Sequence, residues 1–149
     1  MIQKIEHSKK SEAAEISRVF QVSYTIEAQL LGAKKFPPLL RPIISYKNSK
    51  NDFFGFYEHD NIVAVIEMKQ ELLSMHIQSL VVDPEYFRMG IASKLIRFVL
   101  NEYECGQFTV ETGRDNAPAR KLYERFGFQL IKTYTAEEDI VKVRYMYHF

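Results

Sequence analysis

Short apolar runs separated by turn residues occupy the centre of the chain. Two of these runs, Asp52–Glu58 and Ile62–Lys69, flank the turn His59-Asp60-Asn61 and predict a β-hairpin. A third run, Ser74–Val82, is followed by Pro84, which has no N–H group to offer a strand ladder. The pattern therefore predicts three consecutive strands in the middle of the chain.

Three segments instead carry apolar residues at helical spacing. The first has Ser11 as its expected N-cap, and one of its faces contains Ile16, Val19, Phe20 and Ser23. The second is Ile91–Glu104, which alternates an apolar and a polar face. The third follows Asn116, another expected N-cap, and has Pro118 in its first turn. These segments predict helices before and after the central strands.

The remaining segments complete the predicted architecture. Further strands are expected at Ile2–Ile5, Gln107–Thr112, Phe128–Tyr134 and Ile140–Tyr147. The proline-rich, apolar segment Phe36–Pro42 breaks regular structure and is typical of a loop or short helix that covers a site. Because strands precede, separate and follow helices, the class is α/β or α+β with a mixed sheet.

Composition narrows the range of functions. The 149 residues suit a single domain over positions 1–149. Lys and Arg (20) nearly balance Asp and Glu (19), which argues against a nucleic-acid binder. Cys105 is the only cysteine, so neither an internal disulfide nor a zinc-type cysteine cluster is expected, and no metal site is predicted. No apolar stretch reaches signal-peptide or membrane-helix length, so we expect a cytoplasmic protein that does not bind a membrane.

The segment Leu80–Ile96 carries the most informative pattern. An apolar strand enters a proline turn, and a loop containing Gly90 and Ala92 then opens an amphipathic helix. The start of a helix presents unpaired N–H groups and a positive dipole end, which attract phosphate, and small residues let phosphate reach the backbone. An ordinary strand–turn–helix connection has the same pattern. The glycine spacings of P-loops and of dinucleotide-binding turns are absent.

Two motifs in this region resemble those of the GNAT acetyltransferases. The run Phe87-Arg88-Met89-Gly90-Ile91-Ala92 resembles motif A, [QR]xxGx[GA], and Val82-Asp83-Pro84 precedes it as in the family. The run Asn116–Phe128 resembles motif B, N..A..LY...GF. The resemblance is clear from Ile62 to Phe128. It departs from the family at Phe87, where Gln or Arg is usual, and Arg88 could supply the missing side-chain contact to pyrophosphate.

The resemblance implies a fold and a cosubstrate. The fold would be a single GNAT-type domain with a mixed, mostly antiparallel sheet of about six or seven strands, flanked by about four helices. Central strands would splay apart to form a wedge for acetyl-CoA. The residues implied in acetyl-CoA binding are Leu80, Val81, Val82, Phe87, Arg88, Met89, Gly90, Ile91, Ala92, Ser93, Asn116, Ala119 and Tyr123.

The resemblance also implies a reaction. The protein would transfer an acetyl group from acetyl-CoA to a primary amine by direct attack through a tetrahedral intermediate. The backbone N–H of Leu80 would stabilise the oxyanion. Tyr123 would protonate the departing thiolate, because a phenol with an ordinary pKa of about 10 stays protonated at neutral pH. Read without the resemblance, Tyr123 is a core aromatic residue of a helix.

The base that deprotonates the amine has several candidates. In the family, a base on the central strand lies fourteen residues before the motif glycine, and that position is His76. Glu67, at the end of an otherwise apolar strand, is the rival, Glu111 is a third candidate, and ordered water is a fourth. Two of them also have a structural interpretation: His76 as a strand histidine in an ordinary hydrogen bond, and Glu67 as a carboxylate exposed at a strand end.

The acceptor and the partners stay open at this stage. The acceptor would be a small-molecule or peptide amine, and a homodimer would be in keeping with the family. The alternative function is a non-catalytic module that binds acetyl-CoA as a sensor or regulator. Tyr123 favours the enzyme, because a sensor has no need of a residue that protonates a departing thiolate.

Overall fold

Seven strands form one open sheet in the computed structural model, which describes residues Met1–Phe149. The strands are β1 (Ile2–Lys4), β2 (Asp52–Glu58), β3 (Asn61–Gln70), β4 (Met75–Val82), β5 (Gln107–Gly113), β6 (Gln129–Thr135) and β7 (Val141–His148). The α-helices are α1 (Lys10–Leu31), α2 (Ile43–Lys47), α3 (Ile91–Glu102) and α4 (Ala117–Arg125). Short 3₁₀ helices lie at Pro37–Leu40, Pro84–Tyr86 and Glu137–Asp139.

The strand order across the sheet is β1-β2-β3-β4-β5-β7-β6. The β4–β5 pair is parallel, and every other neighbouring pair is antiparallel. The predicted fold, a mixed and mostly antiparallel sheet with four helices, is therefore confirmed. None of the helices has the length and hydropathy that crossing a bilayer requires.

Helices cover both faces of the sheet and divide the core in two. On one face α1 and α2 pack over the sheet through a cluster that includes Ile16, Phe20 and Tyr46. On the other face α3 contributes Leu95 and Ile96 to a larger cluster, which also contains Tyr123 of α4, Phe128 and Tyr145. The amphipathic patterns of the first and second helical segments account for these two faces.

Two helix boundaries differ from the sequence prediction. α1 begins at Lys10, so Ser11 lies inside the helix, and Lys9 takes the N-cap position without a side-chain cap bond. α3 ends at Glu102 with Tyr103 as its C-cap, two residues before the predicted end at Glu104. Exposed side chains near a helix end constrain its boundary weakly, which is why the pattern misplaced both ends.

Strands β4 and β5 touch over only part of their length. Their paired residues run from Met75 opposite Phe108 to Ile77 opposite Val110. After that point no residue of β4 pairs with β5, although both strands continue to Val82 and Gly113. The two strands therefore diverge and leave a wedge in the sheet, as the resemblance implied.

A β-bulge in β4 lies where this divergence begins. Glu67 of β3 faces Ser79, whereas the next residue, Met68, faces Ile77, so Gln78 has no partner on β3. A bulge changes which residues of a strand share a face. Consequently Ile77 packs in the same cluster as Leu80, and His76 turns to the opposite face of the sheet.

Candidate active site

The wedge opens into a cavity of about 760 Å³. Of the residues that the sequence assigned to acetyl-CoA, the cavity is lined by Leu80, Val82, Phe87, Arg88, Gly90, Ile91, Ala92, Ser93, Asn116, Ala119 and Tyr123. Two others lie elsewhere: Val81 is buried against α1 on the other side of β4, and the side chain of Met89 points to solvent. Strand alternation explains Val81, because its neighbours on β4 face the wedge.

The loop before α3 has the geometry of an anion site. Arg88 and Gly90 both adopt left-handed backbone conformations, with φ of 64° and 75°. A Cβ atom built on Gly90 would meet nothing within 4 Å, so open space lies beside its backbone. No side chain caps α3, which leaves its first N–H groups free for a ligand. The cationic side chains of Lys121 and Arg125 on α4 line the same cavity.

The edge of β4 offers backbone groups to the wedge. Val81 faces Val65 of β3, and the N–H of Asp83 donates to the carbonyl of Val63 at 2.8 Å. In an antiparallel ladder these alternate residues direct their N–H and C=O groups to the partner strand. The polar groups of Leu80 and Val82 therefore point away from β3, and the N–H of Val82 meets the Ser23 hydroxyl oxygen at 3.3 Å.

Phe87 occupies the motif position where Gln or Arg is usual, and the residue is 42% exposed. Such a ring makes few contacts that a substitution could lose. We expect the affinity for coenzyme A, measured by calorimetry, to be unchanged or higher in Phe87→Gln, because an amide adds a hydrogen-bond donor beside the loop. A large loss of affinity would show that the phenyl ring itself holds the loop in shape.

Tyr123 lies in the wall of the cavity, on the inner side of α4. Its ring packs against Phe128 and Tyr145, with centroids 5.7 and 6.2 Å away. Its hydroxyl has no hydrogen-bond partner in the protein, although the side chain is almost fully buried. Burial, and then the negative charge of Glu27, raise the pKa of Tyr123 above its ordinary value. The phenol is thus neutral, and its O–H is free for a ligand in the cavity.

Asn116 links α4 to α1 across the mouth of the wedge. Its Oδ1 accepts from the N–H of Ala119 at 3.2 Å, which is the N-cap bond that the sequence predicted. Its Nδ2 donates to Oε1 of Glu27 at 2.8 Å and contacts the Thr112 hydroxyl oxygen at 3.3 Å. One side chain therefore fixes the start of α4 and holds a carboxylate of α1.

Sequence reasoning expected the acceptor side in the region Tyr24–Tyr46 but did not single out Tyr24, Glu27 or Arg41, all of which line the cavity. The apolar face of α1 did carry a signal, because it reads Ile16, Phe20 and then the polar Ser23 at helical spacing. Extending this face by one turn reaches Glu27. Polar residues that continue a buried helix face indicate that the face leaves the core and enters a site.

Glu67 is not at a strand end, as its sequence position suggested, but inside β3 and fully buried. Arg41 donates to both of its oxygens, at 2.8 and 3.0 Å. Asn51 and Ser79 also donate to it, at 2.8 and 3.0 Å. The Arg41 guanidinium in turn lies 4.2 Å from the ring centre of Tyr46. Glu67 does not line the cavity, and its contacts tie the segment after α1 to the sheet.

His76 also lies outside the cavity lining, on the face to which the bulge turns it. Its Nδ1 is 2.7 Å from the hydroxyl of Thr109, and burial lowers the pKa of its imidazole. Arg144 connects the same Thr109, at 3.3 Å, to Glu111, also at 3.3 Å. Of these groups, Glu111 alone reaches the cavity. The three side chains that the sequence suggested as the base therefore lie in separate parts of the structure, and only Glu111 lines the cavity.

Solved structures of N-acetyltransferases share this fold. The ribosomal-protein-S18-alanine N-acetyltransferase of Escherichia coli superposes with a TM-score of 0.77 and 16% identity, over 99% of this chain and 92% of that chain. The PaiA N-acetyltransferase of Thermoplasma acidophilum, solved in complex with coenzyme A, gives a TM-score of 0.70 and 17% identity, over 99% of this chain and 98% of that chain. The chain thus shares its overall fold with these two structures.

The sequence defines the family. The model of the acetyltransferase (GNAT) family matches residues 15–128, and the chain belongs to this family. A relative in Bacillus subtilis, the UPF0157 protein YqkA, is 30% identical over 142 residues, which cover 95% of this chain. The match takes in 41% of YqkA, so the chain spans less than half of the length of this relative.

Proposed function

We propose that this domain transfers an acetyl group from acetyl-CoA to a primary amine, carried by a small molecule or a peptide. The observation that carries the proposal is the presence, in one cavity, of an uncapped helix start and of a buried phenol with a free hydroxyl. The first suits the phosphates of acetyl-CoA, and the second suits a group that protonates sulfur.

The cavity fits acetyl-CoA on three independent points. The open space beside Gly90 leaves room for pyrophosphate against the backbone. Arg88, Lys121 and Arg125 supply positive charge. The N–H and C=O groups of Leu80 and the C=O group of Val82 can pair with the amide groups of the pantetheine arm, in the way that a peptide adds to a sheet edge.

The residues of the chain would then act on the reaction in turn. A base takes a proton from the acceptor ammonium, and the neutral amine attacks the thioester carbonyl carbon directly to form a tetrahedral intermediate. The N–H of Leu80 donates to the oxyanion. Tyr123 gives its proton to the thiolate as the C–S bond breaks. The apolar wall formed by Leu31, Phe36 and Pro37 excludes water from the acceptor side.

Incubation with acetyl-CoA and a panel of primary amines tests the proposal. The panel should include 2-phenylethylamine, spermidine and short peptides with free N-termini, with thiol release followed by colour and acetylated products identified by mass spectrometry. We expect thiol release that depends on an amine. A protein that is thermally stabilised by acetyl-CoA, and yet releases no thiol with any amine, would instead be the non-catalytic sensor.

A further inference from the structure

Two carboxylates line the cavity, and their surroundings differ. Both oxygens of Glu111 are engaged, since Oε1 accepts from the Tyr134 hydroxyl at 3.0 Å and Oε2 from Arg144 at 3.3 Å. Glu27 on α1 accepts one hydrogen bond, at Oε1 from Asn116, and no protein group donates to its Oε2. Glu27 therefore keeps an oxygen free for a ligand in the cavity.

Glu27 is also close to the proposed acid. Its negative charge raises the pKa of Tyr123 and of Tyr24, in each case after the larger effect of burial. The groups around the Glu27 carboxylate are Tyr24 on its own helix, Asn116 at the N-cap of α4, Tyr123 on α4, and Lys142 on β7. The charge of Lys142 opposes the effect of burial on Glu27. The carboxylate and the phenol thus share one part of the cavity.

We propose that Glu27 is the general base that deprotonates the acceptor amine, with its free Oε2 as the proton acceptor and with Asn116 as the residue that positions it. The proposal rests on the proposed function and assigns the step that the sequence left open. His76 and Glu67 cannot take this role directly, because neither reaches the cavity. Glu111 has no free oxygen for the amine proton, because its two oxygens accept from Tyr134 and Arg144.

The protons balance in this assignment. The acceptor ammonium gives one proton to Glu27 and becomes a neutral amine, whose lone pair forms the C–N bond while the carbonyl π electrons move to oxygen. The oxyanion then reforms the carbonyl, the C–S pair leaves with sulfur, and Tyr123 protonates that sulfur. The tyrosinate recovers a proton from the acylated nitrogen, and Glu27 later releases its proton to water. The net products are an amide, the free thiol and one proton.

The proximity of the two groups couples the two proton transfers. While Glu27 is ionised, its charge raises the pKa of Tyr123 and keeps the phenol protonated. Once Glu27 has taken the proton from the amine, that charge is gone, and the pKa of Tyr123 falls. The acid therefore becomes stronger after the base has acted, at the stage when sulfur needs its proton.

The pH dependence of Glu27→Gln tests the assignment. Burial raises the pKa of Glu27, so the wild-type kcat/KM should fall as pH drops through a value above that of an ordinary glutamate. The variant should lose about 10²- to 10⁴-fold at neutral pH. Without a base, the variant can use only amine molecules that are already neutral in solution, and their fraction rises about tenfold per pH unit. The difference in kcat/KM between variant and wild type should therefore shrink by about tenfold per pH unit, up to the pKa of the amine, near 10 for an alkylamine. The acceptor used is the best amine of the panel.

Matched variants separate this role from a structural one. Glu15→Gln removes an exposed carboxylate of the same helix and should leave the profile unchanged. Glu27→Gln should melt no lower than wild type, because the amide still accepts from Asn116 and a buried charge is gone. A deficit that is equal at every pH, or a pH-dependent deficit in Glu111→Gln instead, would overturn the proposal.

A titration that needs no acceptor amine distinguishes failure of the Glu27 assignment from failure of the proposed function. The carboxyl carbon resonance that disappears in Glu27→Gln should titrate above the range of an ordinary glutamate in the ¹³C spectrum of the wild-type protein. An ordinary titration would overturn the role of Glu27 even if the enzyme acetylates amines. Wild-type protein that acetylates no amine of the panel would overturn the proposed function and the role of Glu27 with it.

Discussion

Tyr123→Phe is expected to lower kcat by about 10²- to 10⁴-fold. The substitution removes one hydroxyl and keeps the ring packed against Phe128 and Tyr145. Because the hydroxyl has no hydrogen-bond partner in the protein, its loss leaves no buried partner unsatisfied. An interaction that is made only in the transition state lowers kcat and kcat/KM together, so both should fall by the same factor.

Three measurements on this variant separate the acid from a core tyrosine. The melting temperature should stay close to that of the wild type. The affinity for acetyl-CoA should change by no more than a neutral hydrogen bond contributes, about 0.5–1.5 kcal/mol. A variant with near-normal kcat and a lowered melting temperature would contradict the assignment and make Tyr123 a structural residue. Tyr147→Phe, on the neighbouring strand β7 and outside the cavity lining, is the matched control.

Glu67→Ala is expected to reduce the free energy of unfolding by about 3–5 kcal/mol, because it leaves the Arg41 charge without its partner in a largely buried position. Asn51 and Ser79 lose their acceptor in the same substitution. Urea unfolding at neutral pH measures the effect. Glu67→Gln keeps the size and one acceptor oxygen, so it should cost less than Glu67→Ala. It still loses the ionic contact and the hydrogen bonds to the oxygen that its NH₂ group replaces.

The activity of the same variants decides whether Glu67 takes part in the chemistry. Per folded molecule, Glu67→Gln should retain substantial turnover, because the carboxylate does not reach the cavity. A kcat that falls by orders of magnitude with an unchanged free energy of unfolding would return Glu67 to the mechanism. A double-mutant cycle with Arg41→Met would give the coupling energy of the pair.

The sequence predicted the fold because its signals are local. Apolar periodicity located the strands and the helices, and Gly90 and Asn116 marked the starts of the third and fourth helices. The residues of the loop before α3 that face the cavity follow from motif A, and those at the start of α4 follow from motif B. The wedge came from the family resemblance, since no pattern within a strand indicates where two strands separate.

The base could not be predicted because its position depends on contacts between distant segments. Glu27 meets Asn116 across 89 residues, and no local pattern encodes that contact. Counting along β4 led to His76, but the unpaired Gln78 reverses the faces of the strand between His76 and the wedge. Glu67 looked exposed because it follows the apolar run Ile62–Ile66 near the end of its predicted strand. The partner that justifies its burial, Arg41, lies 26 residues earlier in the chain.

The limited contact between β4 and β5 makes the width of the wedge an adjustable dimension. Three residue pairs, from Met75–Phe108 to Ile77–Val110, hold the two parts of the sheet together at this line. A substitution at Met75 or Phe108, neither of which lines the cavity, would tilt one half-sheet against the other and move Leu80 relative to Tyr123. Mutations remote from the site can thus retune the fit to a thioester of different length, and acyl-chain selectivity can evolve at the hinge of the sheet rather than in its pocket.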